Sequence, residues 1–144
     1  MSTHRPYKNA IDLLHRAGLR PTRQRLALAR LLFERGDRHV TAEQLHAEAR
    51  DAQVSVSLAT VYNTLHQFTE SSLLREVVVE TGRSYFDTNT SDHHHFFHET
   101  SGHLRDIDCG QIDLAGLPSV PEGTRISRVD VVIRLADENA SEPD

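Results

Sequence analysis

Apolar residues recur every three to four positions through the first half of the chain and alternate in much of the second. The sequence therefore reads as a helical half followed by a strand-rich half. Tyr7 to Ala17, with Ile11, Leu13 and Leu14 apolar, predicts a first helix that stops at Gly18. After Leu19-Arg20-Pro21, Thr22 caps a second helix, in which Leu26, Leu28, Ala29, Leu31, Leu32 and Phe33 make a broad apolar face before Gly36. Thr41-Ala42-Glu43-Gln44 is a capping box opening a third helix, through Leu45 and Ala49 to near Asp51. Ser57 caps a fourth, Leu58 to about Thr69, with Leu58, Val61, Leu65 and Phe68 on its buried side and Thr60, Asn63, Thr64 and Gln67 off it.

The period then changes to two. Leu73 to Glu80 is a β-rich run, Thr81-Gly82 a turn, and Ser84 to Asp87 the return strand, and helices followed by such a hairpin predict a winged helix. In that arrangement the helix before the hairpin enters the major groove and the arginines meet phosphates. Further strands are expected at His94 to Glu99, His103 to Asp108 and Arg125 to Leu135, with a helical turn at Ile112 to Ala115 cut off by Pro118 and Pro121. Val129-Asp130-Val131-Val132-Ile133 is too apolar for a bare edge, and a second copy of the chain is its simplest cover, which predicts a dimer. The expected fold class is α+β: a winged helix-turn-helix domain over residues 1–85, an α/β dimerisation and effector-binding domain over 86–137, and an acidic disordered tail over 138–144.

Charge sharpens this division. The chain of 144 residues has a net charge of −5, which alone would count against nucleic-acid binding, yet residues 1–85 carry +3 and residues 86–144 carry −8. The positive excess sits at the start, where Arg5, Lys8, Arg16, Arg20, Arg23, Arg25, Arg30, Arg35 and Arg38 face only Asp12, Glu34 and Asp37. That is a phosphate-facing composition. No apolar run approaches the length of a membrane span and the first residues lack a secretion signal, so a soluble cytoplasmic protein is expected. A single cysteine, Cys109, leaves no internal disulfide and no zinc site built on cysteine pairs. Any metal must be held by nitrogen and oxygen.

Three of the ten histidines are consecutive in Asp92-His93-His94-His95-Phe96-Phe97, inside the first of the late strands. Alternation puts His93 and His95 on one face and His94 on the other, so one strand can serve two sites. The internal position, beside strand-forming aromatics, argues against the remnant of an expression tag. A hydrolase built on this cluster lacks its supporting cast. The chain has no His-Glu-x-x-His, no glycine-rich phosphate loop and no nucleophile elbow, and an enzyme is not expected.

Four segments resemble, in order, signatures of the ferric uptake regulator superfamily: Gly18-Leu19-Arg20-Pro21-Thr22-Arg23-Gln24-Arg25, His39-Val40-Thr41-Ala42-Glu43-Gln44-Leu45, Leu58-Ala59-Thr60-Val61-Tyr62 and Asp92-His93-His94-His95. The resemblance spans most of residues 10–135. It implies a dimeric transcription factor that binds double-stranded DNA at an AT-rich inverted repeat. It implies DNA contacts from Arg20, Thr22, Arg25, Ser57, Thr60, Tyr62 and Asn63, with Asn63 departing from the arginine usual at its position. It further implies a regulatory metal site of His39, Asp87, His93, His95 and Asp106, suited to Fe(II), Mn(II) or Zn(II). A second set, Asp92, His94 and Asp113, is incomplete, because the family's further histidine falls near Val129-Asp130 here. The structural zinc site is missing its cysteines: His98 and Ser101 stand at the first pair, and Cys109-Gly110 falls too late to replace them.

Within the superfamily, His-His-His-Phe-Phe and the lost cysteines resemble the iron response regulator (Irr) branch, which implies haem as effector at His93, His94 and His95. Adjacent histidines cannot reach both faces of one porphyrin, so at most one is axial in each protomer. The function expected on this resemblance is a repressor active when iron is scarce and released from DNA by haem, controlling haem synthesis and iron homeostasis. The alternatives are an Fe(II)- or Mn(II)-co-repressed regulator, a peroxide sensor using the five-ligand site, and, outside this class, a haem or metal carrier without DNA binding. The dimer, or a higher oligomer, is expected under each regulatory reading.

Overall fold

The computed structural model describes residues 10–80, 82–91 and 93–138, and it divides into two compact units, Met1–Thr90 and Ser91–Asp144. The division falls five residues after the boundary expected at 85/86. The reason is local: Arg38 N–H donates to Thr88 Oγ1 (2.8 Å) and Thr88 N–H to the Arg38 carbonyl (2.9 Å), so the chain just past the wing is stitched into the first unit.

Among its described residues the first unit contains four helices, α1 (Ala10–Arg16), α2 (Arg23–Phe33), α3 (Ala42–Asp51) and α4 (Leu58–Glu70), with a three-stranded antiparallel sheet of β1 (His39–Val40), β2 (Arg75–Glu80) and β3 (Arg83–Asp87) in the order β1-β3-β2. The start expected for the first helix, Tyr7 to Asn9, lies outside the described residues. The caps are where the sequence puts them. Thr22 Oγ1 accepts from Arg25 N–H, the Thr41–Gln44 capping box is closed in both directions, and Ser57 Oγ accepts from Thr60 N–H. Leu13, Leu14, Leu28, Leu32, Leu45, Val61, Leu65 and Phe68 are at most 2% exposed and share one core with Val40 and Phe86. Thr64, expected off the buried face, is buried as well, because α4 is covered over a wider arc than its apolar stripe marks.

Three helix ends use the same device. At Gly18, Gln53 and Ser72 the backbone turns left-handed (φ +76°, +60° and +64°), and paired bonds close the turn: Leu19 N–H to Leu14 O, Val54 N–H to Ala49 O and Leu73 N–H to Phe68 O. Only the first has the glycine that makes this conformation cheap.

The second unit is a three-stranded sheet in the order β5-β4-β6, with β4 (His93–His98) antiparallel to β5 (Leu104–Asp108) and parallel to β6 (Val132–Leu135). Two expectations fail here. The final strand is four residues long, not the eleven positions of Arg125 to Leu135, because it pairs only with His95 to His98 of β4. The helical turn expected at Ile112 to Ala115 is replaced by a 3₁₀ turn at Cys109–Gln111, after which Asp113 Oδ1 accepts from Ala115 N–H (3.0 Å) in a side-chain-closed turn. Phe97, Leu104 and Ile107 are buried, while Leu117, Val120, Ile126 and Ile133 remain exposed. Of the tail, residues 139–144 lie outside the described residues.

Gln53→Gly and Ser72→Gly should each raise the unfolding free energy by about 0.5–1 kcal/mol, the relief of a left-handed side chain less the added freedom of the unfolded chain. Urea unfolding measures this, and an unchanged or lowered midpoint would show that neither residue is strained.

Candidate metal centre and nucleic-acid interface

Strand alternation decides the chemistry of β4. His93 and His95 point to one face, their rings 4.6 Å apart between centroids, and both Nε2 atoms approach the same carboxylate oxygen, Asp106 Oδ1, at 3.5 and 3.4 Å. Asp106 is the Cα partner of His95 on β5, so the sheet register itself delivers it. Both imidazoles are at least 95% buried, whereas the Asp106 side chain is 44% exposed. His93 Nδ1 lies 2.7 Å from the Ser91 carbonyl oxygen, which can only accept, so Nδ1 carries the proton and Nε2 is turned to Asp106.

The donor set fits a divalent cation. Ligand atoms of the three residues lie within 4.8 Å of one another. Donors held ~2.1 Å from a tetrahedral ion stand roughly 3.4 Å apart, close to the spacing of both Nε2 atoms from Asp106. Two imidazoles and a carboxylate suit Zn(II), Fe(II) or Mn(II).

The remaining two expected ligands belong to the first unit, where they face each other. His39 and Asp87 are Cα partners across β1 and β3. Asp87 is 1% exposed and its Oδ1 accepts from Asn89 N–H (2.9 Å), while the His39 ring stands edge-on to Tyr85 at 6.1 Å. A chelated pair holds β1 in place: the Arg38 guanidinium meets both carboxylate oxygens of Glu48 on α3, at 2.9 Å to Oε1. Arg38 thereby leaves the set of arginines expected to face phosphates.

Of the second, incomplete set, two members fall among the described residues, His94 and Asp113, and each makes a hydrogen bond of its own. Asp92 lies outside the described residues. His94 Nδ1 accepts from Val131 N–H at 3.1 Å, tying β4 to the approach of β6, and Asp113 is spent on its own turn. His94 is 5% exposed.

On the first unit, the residues expected to contact DNA lie around the start of α2 and the start of α4, and several are already engaged. Thr22 caps α2. Ser57 caps α4 and donates to Thr60 Oγ1 (2.9 Å). Arg25 spans α2 and α4, Nε donating to Gln67 Oε1 (3.1 Å) and a terminal nitrogen to the Arg20 carbonyl (3.0 Å). Arg20 and Asn63 are exposed. Tyr62 is half-buried, its hydroxyl donating to Glu43 Oε2 at 2.7 Å and its ring stacked at 20° on His66 one turn later.

Comparison with known proteins identifies the family. The profile of the Ferric uptake regulator family matches residues 16–133. The chain is 37% identical over 99 residues to the Ferric uptake regulation protein of Shigella flexneri, a match covering 69% of this chain and 62% of that protein. It is 32% identical over 106 residues to the Peroxide-responsive repressor PerR of Staphylococcus epidermidis, covering 74% and 70%. The chain belongs to the ferric uptake regulator family. Its match thus spans somewhat under two thirds of the first of these relatives. Solved ferric uptake regulators from Pseudomonas aeruginosa, determined with manganese, and from Vibrio cholerae share the fold, each at a TM-score of 0.68, with 22% and 21% identity. They cover 90% and 87% of this chain and are themselves covered to 98% and 97%. Members of the family are metal-responsive transcription regulators, not enzymes. The mixed helix and strand fold is shared with these solved structures, of which the Vibrio cholerae regulator has DNA-binding domains.

For this family member, sequence reasoning missed Glu43, Gln67 and His66 as neighbours of the residues expected to contact DNA. His66 stands four residues after Tyr62, so helical spacing alone could have found it. Glu43 is 19 positions away on another helix, and nothing in the linear pattern links the two.

The Tyr62 phenol is held above its usual value of 10.0, first by the hydrogen bond to Glu43, then by burial and by the Glu43 charge. Because the folded value is the higher one, the stabilisation is complete below the unfolded value and is lost as pH rises through the folded value. Phenolate absorbance, taken as wild type minus Tyr62→Phe, should titrate above the ordinary tyrosine range and return toward it in Glu43→Leu. Titration of both proteins at the ordinary value would mean that the bond does not persist in solution.

Proposed function

We propose that this chain is a divalent-metal-responsive transcription regulator that binds double-stranded DNA as a homodimer. The observation that carries the metal reading is the buried pair of imidazole Nε2 atoms converging on one Asp106 oxygen. We assign His93, His95 and Asp106 as the core of the regulatory site, with His39 and Asp87 supplying the remaining ligands. A bound divalent cation would supply fixed positive charge to these nitrogen and oxygen donors. The chain's own contribution is to hold the ligands ready: Ser91 sets the His93 tautomer, β-sheet register places Asp106, and the β1–β3 ladder presents His39 opposite Asp87. A coupling of about 1–3 kcal/mol between metal and DNA would give roughly 5- to 150-fold regulation.

DNA binding is assigned to α4 and the wing, supported by the family match, the positive balance of residues 1–85 and the exposure of Arg20 and Asn63. The operator we expect is an AT-rich inverted repeat, whose two-fold symmetry mirrors a dimer. The exposed Ile133 within the short edge strand β6, and the exposed Ile126 ahead of it in the chain, support pairing of the second unit with a copy of itself. Among the described residues no helix is long and apolar enough to cross a membrane, and we place the protein in the cytoplasm.

A second reading keeps the same fold and changes the effector. The His93-His94-His95 run and the lack of cysteine pairs favour the Irr-type, haem-released repressor of haem synthesis and iron-handling genes. Against it, all three imidazoles are 5% exposed or less, so a porphyrin could reach none of them without displacing the groups that cover them. A peroxide sensor would use the five-ligand site and would register as oxygen added to His39 or His93.

Gel shift on an AT-rich inverted repeat tests these readings with wild type, His95→Ala and His94→Ala. Mn(II) or Zn(II) should tighten wild-type binding by about 5- to 150-fold, with the response lost in His95→Ala and kept in His94→Ala. Saturable haem binding that is weakened in His94→Ala and releases DNA, with no metal response, would replace the metal reading by the haem one. DNA affinity should also fall steeply with salt, with a log–log slope of about −0.9 per phosphate neutralised. A flat salt dependence would leave a metal carrier.

A further inference from the structure

Glu43 occupies an unexpected place for an acidic residue in a nucleic-acid reader. It lies in the first turn of α3, beside α4, and lines a cleft of about 390 Å³ with Thr41, Gln44, Tyr62, Arg83 and Tyr85. An exposed carboxylate at such a cleft repels phosphate, so a compensating role is needed. The side-chain bonds show one. Tyr62 donates its only hydroxyl proton to Glu43 Oε2 at 2.7 Å. Its ring is backed by His66, which in turn stands edge-on to the buried Phe86 at 5.6 Å. The capping box at Thr41 and Gln44 fixes the turn from which Glu43 projects. The phenol is therefore held at both ends.

A tyrosine oxygen can donate once and accept. With the proton committed to Glu43, the oxygen facing the cleft can only accept. Among major-groove base edges the donors are exocyclic amines, N6 of adenine and N4 of cytosine, whereas N7, O6 and O4 are acceptors.

We propose that Glu43 is a positioning residue for base selection: by taking the Tyr62 proton it fixes the phenol as a hydrogen-bond acceptor and turns Tyr62 into a reader of a base that carries an exocyclic amine. This rests on the assignment of α4 as the DNA-reading helix. Without Glu43, the hydroxyl is free to rotate and can donate to N7 or O4 as well as accept, and selection relaxes. A carboxylate that merely packed α3 against α4 would leave base preference unchanged.

The test uses the full-length protein on an AT-rich inverted repeat in which each adenine is replaced in turn by unsubstituted purine, which lacks only the N6 amine. Wild type should lose affinity on the order of tenfold at one position in each half-site, a typical cost of one base contact. Glu43→Leu should bind the two duplexes alike, Glu43→Gln, whose amide oxygen still accepts, should restore the discrimination, and Glu43→Leu should change nothing further in a Tyr62→Phe background. Equal discrimination by wild type and Glu43→Leu, or independent and additive effects of the Glu43 and Tyr62 changes, would overturn the proposal while leaving DNA binding intact. If wild type itself shows no salt-dependent binding to any duplex, the reading of α4 fails first and the role of Glu43 falls with it.

Discussion

Alternation along a single six-residue strand governs the second unit. Because β4 must send successive side chains to opposite faces, three consecutive histidines cannot form one cluster. His93 and His95 turn together toward Asp106, and His94 turns away, where its ring nitrogen receives the Val131 N–H that leads into β6. The same strand thus builds the donor set and anchors the parallel neighbour that completes its sheet. Burial raises the stakes, since an imidazole desolvated in a sheet needs a partner for each polar atom. Here Ser91 satisfies one nitrogen of His93, which leaves the other committed to the shared carboxylate.

The first unit solves a different problem, that of fixing short helices at defined angles with little chain between them. Its means are end structures. Side-chain caps begin α2, α3 and α4, and left-handed turns end α1, α3 and α4. Long-range polar bonds then join what the caps define: Arg38 to Glu48 and Thr88, Arg25 to Gln67, and Tyr62 to Glu43. Two of the arginines that composition offers to phosphate, Arg25 and Arg38, are employed in this way. The positive balance of residues 1–85 is consequently a weaker measure of the DNA-facing surface than the count of arginines suggests.

The division of labour also explains how a coupling between effector and DNA could be built from so few residues. His39 and Asp87 lie in the sheet whose hairpin forms the wing, and the His39 ring touches Tyr85, which lines the same cleft as Tyr62. A ligand acting on β1 and β3 would therefore bear directly on elements that surround α4.

Much of this was legible in the linear pattern, and the reason is that caps, glycines and periodicities are local. Thr22, Thr41 and Ser57 marked helix starts, Gly18 marked an end, and the two-residue period of His93-His94-His95 separated the histidines onto two faces. The ends at Gln53 and Ser72 were only approximate in the sequence because no glycine announces them. The last strand was overdrawn for a related reason: residues 125–135 have strand composition throughout, but a strand exists only where a partner's ladder is within reach, and β4 reaches only Val132 to Leu135. What the sequence by itself determined was the set of elements, their order and the residue types able to hold a metal or face DNA. Only the tertiary structure decided which of those side chains are already spent on one another, because the bonds of Glu43, Glu48, Gln67 and Asp106 cross between elements and leave no periodic trace in the chain.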